Sequence, residues 1–387
     1  LIASQFHLIS PIGLVLNLAL APLILIMFWF GYSFLIAGLI SPVLFGWLGT
    51  PFDLTLGWFL SVVQAAARIE LGHNYVPAPA TWWICGFYGL TLMFAVVDLW
   101  RGRLFWAPRA ALVWVVIGLA VALRPAESQE LSCTVLSVGH GLSVVVECPN
   151  GRVLLYDAGS MAGGSRVARA VESAVWMSRQ PRLDVAVISH ADVDHCNALA
   201  EIVDVVPTRT ILVHRTCVTC QEPAIVETIG QLSRANVPIQ LLAEGQQIEL
   251  DPKVIIRVLH PRTDFVGRSD NSNSLVLSIE YAGRRILLMG DVEQEGLSQL
   301  LQTERLDTDI LLAPHHGSVK ANPADLARWA TPEWVLTSSR DDSVRHRLAS
   351  TYGPSAQVLT TARHGAIRCR IQADGQLQVI PFRHADP

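Results

Sequence analysis

Charge is the first thing missing. From Leu1 to Phe52 there is no Asp, Glu, Lys or Arg, and over all 387 residues charged side chains make up only 16%. Such a stretch is excluded as the surface of a water-soluble domain, since almost everything it would present to solvent is apolar. The shortage is local. Up to Arg124 there are five Arg and three Asp or Glu, whereas the remainder holds 24 Lys+Arg against 30 Asp+Glu, a net of −6. Eight of the eleven Trp lie before residue 115. Also absent is a basic stretch ahead of the first apolar run, and the first residue is Leu; the expectation is a start inside a membrane domain and not a signal peptide. The seven Cys are odd in number and irregular in spacing, which excludes a disulfide framework. Cys217 and Cys220 have CxxC spacing without a second such pair. Among a zinc half-site, a redox pair and a local disulfide, the disulfide is the best reading if this part lies outside the cytoplasm. No internal repeat is visible.

What is present divides the chain into residues 1–124, a polar linker at 125–130 ("PAESQE"), and residues 131–387. In the first part, the run from Ser10 to Gly49 is long enough for two short spans, or for one span and a broken piece at Pro22 and Pro42. Leu56, Phe59, Leu60, Val63 and Ala67 share a helical face, as expected of an amphipathic helix lying at the interface. Ala80–Trp100 is a span with Trp at both ends, and Pro108–Arg124 is a second. The loop between them carries Arg101, Arg103 and Arg109. The positive-inside rule places it in the cytoplasm, and therefore places everything after Arg124 on the outer face.

In the second part, short apolar runs alternate with helical patterns, so a layered α and β structure around one core is expected. Asp and His gather at the ends of these runs. Asp157 ends "LLYD"; His190, Asp192, Asp194 and His195 follow "VAVIS"; Asp291 ends "ILLMGD"; His315 and His316 follow "DILLAP". One His-x-Asp pair would be a solvated or capping pair. Four clusters, each on a loop held by a rigid sheet, point to a metal site.

The ordered set "YDAG", "HADVDH", "GD" and "HHGS" resembles the metallo-β-lactamase superfamily. More narrowly, "LSVGHGLSVVVECPNGRVLLYDAG", "NSNSLVLSIEYAGRRILLMGD", "DILLAPHHGS" and "TTARHGAIRCRI" resemble the C-terminal domain of the ComEC family of competence membrane proteins. "HLISPIGLVLNLALAPLI" resembles the end of that family's membrane domain. The resemblance implies an αββα sandwich preceded by transmembrane helices. It implies one or two divalent ions held by His190, Asp192, Asp194, His195, Asp291 and His315. Asp157 would support the cluster, Asp194 has a second possible role in holding the attacking water, and His316 and Ser318 would contact a phosphate or donate a proton. The superfamily has His where this chain has Asp192, and another His near "DNSNS", where Asn271 or Asn273 stands. Carboxylate and amide donors suit Mn²⁺ better than Zn²⁺, and a two-ion site suits phosphodiester hydrolysis. Two departures lie nearby: the family's "GQGDA"-like turn is "GHGLS", with Leu142 where a carboxylate is usual, and Cys196-Asn197 replaces Gly-Gly.

Three functions follow as expectations. The first is a multi-pass inner-membrane protein of DNA uptake in transformation, whose outer domain cleaves single-stranded DNA, with membrane lipid and other competence proteins as partners. The second is a membrane-tethered metallo-hydrolase of a small ester or nucleotide. The third is an inactive module that guides DNA. The net of −6 argues against strong non-specific DNA binding; Arg-rich stretches such as "RHRL" and "RHGAIRCR" supply local positive charge, or are scattered solvated side chains.

Overall fold

The computed structural model describes residues 8–67, 69, 74–75, 79–101, 107–122, 128–177 and 182–383. The chain divides into two compact units, Leu1–Ala122 and Leu123–Pro387. The first is helical. Helix α1 (Pro11–Ile40) begins where the Ser10 hydroxyl accepts from the Gly13 N–H at 3.0 Å. Pro11 sits in the first turn, where a missing N–H costs nothing. Pro42 ends α1 and opens α2 (Pro42–Ala67). Helices α3 (Thr81–Arg101) and α4 (Ala107–Ala122) follow, and Leu8–Ile9 pairs antiparallel with Asn74–Tyr75. Both α1 and α2 are long and apolar enough to cross a membrane. They leave Leu18, Trp29, Leu39 and Trp47 exposed, as lipid-facing helices do.

Pro22 does not break α1, and Pro51 does not break α2. Each proline removes one N–H and leaves the rest of the ladder intact. Of the two arrangements expected between Ser10 and Gly49, two short spans or one span and a broken piece, the structure has one 30-residue helix followed, after a break at Pro42 and none at Pro22, by the start of another. The stretch expected as a separate interfacial helix, Leu56–Ala67, is the second half of α2. Phe34 of α1 stacks on Phe45 and Phe52 of α2, with centroids 4.1 and 5.9 Å apart. The α3–α4 pair is closed by two indoles: Trp83 Nε1 donates to the Trp114 carbonyl at 2.7 Å, and Trp114 Nε1 to the Trp83 carbonyl at 3.2 Å. Of the expected features, Arg103 and linker residues 125–127 lie outside the described residues.

Among its described residues the second unit has fourteen strands: β1 (Glu130–Val135), β2 (Ser143–Glu147), β3 (Val153–Ala158), β4 (Val185–Ile188), β5 (Ile211–Val213), β6 (Ile239–Leu241), β7 (Ile255–His260), β8 (Val276–Tyr281), β9 (Arg284–Leu288), β10 (Ile310–Leu312), β11 (Trp334–Thr337), β12 (Gln357–Thr360), β13 (Ile367–Gln372) and β14 (Leu377–Pro381). One sheet runs β14-β13-β1-β2-β3-β4-β5-β6, the other β12-β11-β10-β9-β8-β7. Period-2 alternation divides each central strand between two cores. Leu154 and Tyr156 of β3 face the space between the sheets, where they join Leu277, Ile286 and Leu312. Val153 and Leu155 face outward against helices α5 (Gly164–Met177), α6 (Leu199–Val205) and α7 (Pro223–Arg234). Leu287, Leu311 and Val335 of the other sheet face α8 (Gln294–Leu300), α9 (Ala324–Ala330) and α10 (Ser343–Tyr352). With both faces covered, a strand such as "VAVI" is buried at every residue. The result is the expected αββα sandwich. Cys217 and Cys220, read above as a disulfide, are free thiols, as are the other five.

The pairs β3–β4 and β9–β10 are parallel. Their C-terminal ends therefore point the same way, and the loops carrying Asp157, His190, Asp291 and His315 emerge at one end of the sandwich. The loops approach closely there. A Cβ on Gly159 would lie 2.4 Å from the backbone carbonyl carbon of Asp194. Gly159→Ala is expected to cost about 1–3 kcal/mol of stability, read by chemical denaturation. Gly230→Ala, inside α7 with only the Arg234 side-chain tip nearby at 3.7 Å, is expected to be neutral or stabilising by up to about 1 kcal/mol.

Candidate metal centre

Strand β3 delivers Asp157 in the left-handed region, at φ 59°. Fully buried, its carboxylate accepts from the Ser189 N–H at 2.6 Å through Oδ1 and from His195 Nδ1 at 2.8 Å through Oδ2. That second bond fixes the His195 tautomer and leaves its Nε2 lone pair free. After β4, Ser189 and His190 lead into a helical turn, Val193–Cys196, capped by Asp192, whose Oδ1 accepts from the Val193 N–H at 2.6 Å. The turn folds Asp194 and His195 back over the strand end. Strand β9 runs through Gly290 (φ 53°) to Asp291, and β10 leads to His315, His316 and Gly317, all three at positive φ. Two consecutive non-glycine residues in that region are strained, and such strain gathers at functional sites.

Six side chains converge. His190, His195 and Asp291 place one donor atom each within 4.8 Å of one another; His140, Asp194 and His316 do the same. The Asp291 carboxylate joins the groups: Oδ1 lies 3.3 Å from His195 Nε2, and Oδ2 lies 3.6 Å from His316 Nε2. His316 Nε2 is also 3.3 Å from Asp194 Oδ2, while its Nδ1 donates to the Ser338 carbonyl at 3.1 Å. The residues fit a divalent ion for a specific reason. His190 Nε2, His195 Nε2 and Asp291 Oδ1 are all buried without a hydrogen-bond partner. An unpaired buried polar atom costs about 1–3 kcal/mol; three aimed at one point are explained by a shared ligand. The fold and this cluster imply a divalent metal centre.

The electrostatics of His190 and the two carboxylates agree with that donor set. At His195 and His316 burial lowers the pKa, but Asp291, with Asp157 at the first and Asp194 at the second, raises it above the usual value, so an ion would displace a proton from each. Burial, with His195 beside it, lowers the His190 pKa to about 3, so the imidazole is neutral and has a lone pair to give. Burial would raise Asp194, but the His316 hydrogen bond and His195 outweigh it and lower its pKa to about 2. Burial likewise opposes ionisation of Asp291, and His195 and His316 hold it well below the ordinary carboxylate range.

Among the expected ligands, His190, Asp194, His195 and Asp291 come together, with Asp157 behind them. Asp192 is half-buried and in neither group; its carboxylate caps the turn. His315 turns to the rim, 32% exposed, with Nδ1 2.9 Å from Glu293 Oε2 and Nε2 3.9 Å from Asp291 Oδ2. His316, expected at a phosphate, occupies the inner place. Asn273, expected as an amide donor near the ions, instead clamps the preceding loop: its Oδ1 accepts from Gly267 N–H at 2.7 Å and its Nδ2 donates to the Ser269 carbonyl at 2.8 Å. Ser318 closes the His315 turn through its N–H, at 2.8 Å from the His315 carbonyl. Two residues escaped the sequence reading, His140 and Glu293. Glu293 had a signal, an acid two residues past a strand-end Asp. His140 had only its place between two glycines.

Residues 136–326 match the family model of the metallo-beta-lactamase superfamily, and residues 1–101 that of the competence proteins. The chain is 21% identical over 400 residues to ComE operon protein 3 of Bacillus subtilis (strain 168), covering 95% of this chain and 49% of that protein. It is 24% identical over 312 residues to Recombination protein 2 of Haemophilus influenzae, covering 79% of this chain and 36% of that protein. It thus spans about half the length of the first relative and about a third of the second. Among solved structures, CmlA, a diiron β-hydroxylase from Streptomyces venezuelae, superposes with a TM-score of 0.40 at 14% identity, over 78% of this chain and 64% of CmlA.

Asp157→Asn removes the anion that orients His195. Metal affinity is expected to fall about 10–100-fold, measured by chelator competition with metal analysis; wild-type retention would contradict the orienting role.

Proposed function

The chain joins a competence-protein membrane segment to a metallo-beta-lactamase-superfamily domain, and from that premise we propose that it serves DNA uptake, with the metal domain cleaving single-stranded DNA on the outer face of the inner membrane. The observation that carries the reading is the trio of orphaned donors at His190, His195 and Asp291, attached to a segment that matches competence proteins. Divalent ions held there would polarise a phosphodiester oxygen and make water a competent nucleophile at neutral pH. The side chains do the rest. Asp157 holds His195 in one tautomer. Asp194 reaches both His195 and His316, at 4.0 and 3.3 Å, and positions the attacking oxygen between them. His315, at the rim and braced by Glu293, is placed to hand a proton to the leaving oxygen.

The path of the strand is supported by Ser338. Its carbonyl takes the His316 hydrogen bond, and exposed Arg340 and Arg347 follow on the next loop and on α10. Exposed guanidinium groups on the segment that follows Ser338 suit phosphates despite the net negative charge of the domain. The expected preference for Mn²⁺ over Zn²⁺ loses its basis, because Asp192 caps the turn, Asn273 is occupied elsewhere, and the converging donors are four imidazoles and two carboxylates. The outer-face, multi-pass arrangement rests on Arg101, Arg103 and Arg109 between α3 and α4. Other competence proteins and membrane lipid are the partners this reading requires.

The test is cleavage of end-labelled single-stranded DNA by the chain in detergent, with Mn²⁺, Mg²⁺ and Zn²⁺ compared. Cleavage is expected to require a divalent ion, and Asp194→Asn to lower it by about 100-fold or more without loss of fold. Full activity in that variant, or no cleavage with any metal, defeats the catalytic reading and leaves a DNA-guiding module. For topology, a reporter fused after Phe382 is expected to be active only outside the cytoplasm; cytoplasmic activity would reverse the orientation.

A further inference from the structure

His140 belongs to a turn that is rigid although it is exposed. Gly139 and Gly141 flank it at φ 86° and 147°, a backbone that other residues rarely adopt. The turn is held from three sides. Ser338 Oγ donates to the Gly141 carbonyl at 2.6 Å, Ser160 Oγ to the His140 carbonyl at 3.1 Å, and the Met161 N–H to the same carbonyl at 2.8 Å. A Cβ at Gly141 would meet the Gly159 carbonyl oxygen at 2.3 Å, so the turn is pressed against the loop that carries the site. So much bracing fixes one side chain, whose imidazole lies over the His316 ring with centroids 4.6 Å apart. Its Nε2 is 3.9 Å from Asp194 Oδ2. Donors bound to one ion at about 2.1 Å stand roughly 3–4 Å from each other. The His316–Asp194 and His140–Asp194 separations, 3.3 and 3.9 Å, fall in that range.

We infer that His140 is a metal ligand: with Asp194 and His316 it completes the second ion position, and Asp291 Oδ2 links that position to the one at His190 and His195. The inference rests on reading the cluster as a metal centre, and is independent of the substrate. Because the His140 side chain is 56% exposed, its removal does not open the core.

The experiment is a titration of the metal-free full chain in detergent with Mn²⁺, following free Mn²⁺ by electron paramagnetic resonance. The wild-type chain is expected to take up two ions per chain. His140→Ala should bind the first as before and the second at least about tenfold more weakly, and His140→Asp, which restores a donor, should recover most of that loss. His140→Asn carries the expectation of the Ala variant and decides the matter if the latter does not fold. The inference is overturned if the wild-type chain binds fewer than two ions, if the second step is unchanged in the Ala and Asn variants, or if both steps weaken together. The two proposals fail separately. Two-ion binding that depends on His140 without DNA cleavage sustains this inference and defeats the nuclease reading; cleavage with a second step indifferent to His140 does the reverse.

Discussion

The centre depends on one buried carboxylate. Asp157 lies beneath the site with no access to water, and a buried charge persists only when it is paired and hydrogen-bonded. Burial raises its pKa, and His195 and the Ser189 N–H act against that. Both partners belong to the loop that carries the metal motif, so the pairing that makes the charge tolerable also sets the loop. His195 must present Nε2 outward because Nδ1 is taken. His190, with Nδ1 2.9 Å from the Ser189 hydroxyl, presents its own Nε2 in the same way. The unpaired face of the cluster is thus a consequence of the fully paired layer below it.

That layer also locks the two sheets together where the ligands meet. The Tyr156 hydroxyl, at the end of β3, donates across the sandwich to the Leu275 carbonyl at 2.6 Å, and the Leu275 N–H donates back to the Ser189 carbonyl at 2.8 Å. Gly290 completes the contact. It lies at φ 53°, and a Cβ there would come within 3.0 Å of both Ser189 Cβ and the Tyr156 oxygen. The glycine before Asp291 is therefore a spacing requirement: it lets the second sheet approach the first closely enough for one carboxylate to face ligands from both.

These facts explain which parts of the site were legible in the sequence. The strands were, because a parallel strand covered on both faces reads as an unbroken apolar run, and Asp or His at its end is conspicuous. Which of two adjacent histidines turns inward was not. His315 and His316 differ only through three successive left-handed residues and a bond to Ser338, and neither has a local signature. Asn273 misled because its side chain is consumed by a loop closure six residues back, a contact with no period. In the first unit, Pro22 was read by its usual effect in water-soluble helices, but a single missing N–H does not end a long apolar helix. His140 is held at the centre by contacts with no local signature, among them the bond from Ser338 to Gly141, 197 residues apart.

The same turn bears on charge. Where the related family's pattern has a carboxylate, this chain has Leu142, buried at 3% exposure in the core between the sheets. An imidazole two residues earlier replaces an anion with a neutral donor. The centre then has Asp194 and Asp291 among its donors, with Asp157 behind His195, Glu293 against His315 and Asp192 capping the turn. In the proposed reading, two divalent ions would carry four positive charges against these five carboxylates, bringing the centre close to neutral while the polar part of the chain carries a net of −6. Fields are focused where low-dielectric walls surround a charge, so an anionic backbone would respond to the centre more than to the distant surface. The loss of an acidic residue at the turn therefore removes one negative charge from the centre, which in the proposed reading lowers the repulsion that a polyanionic strand meets there.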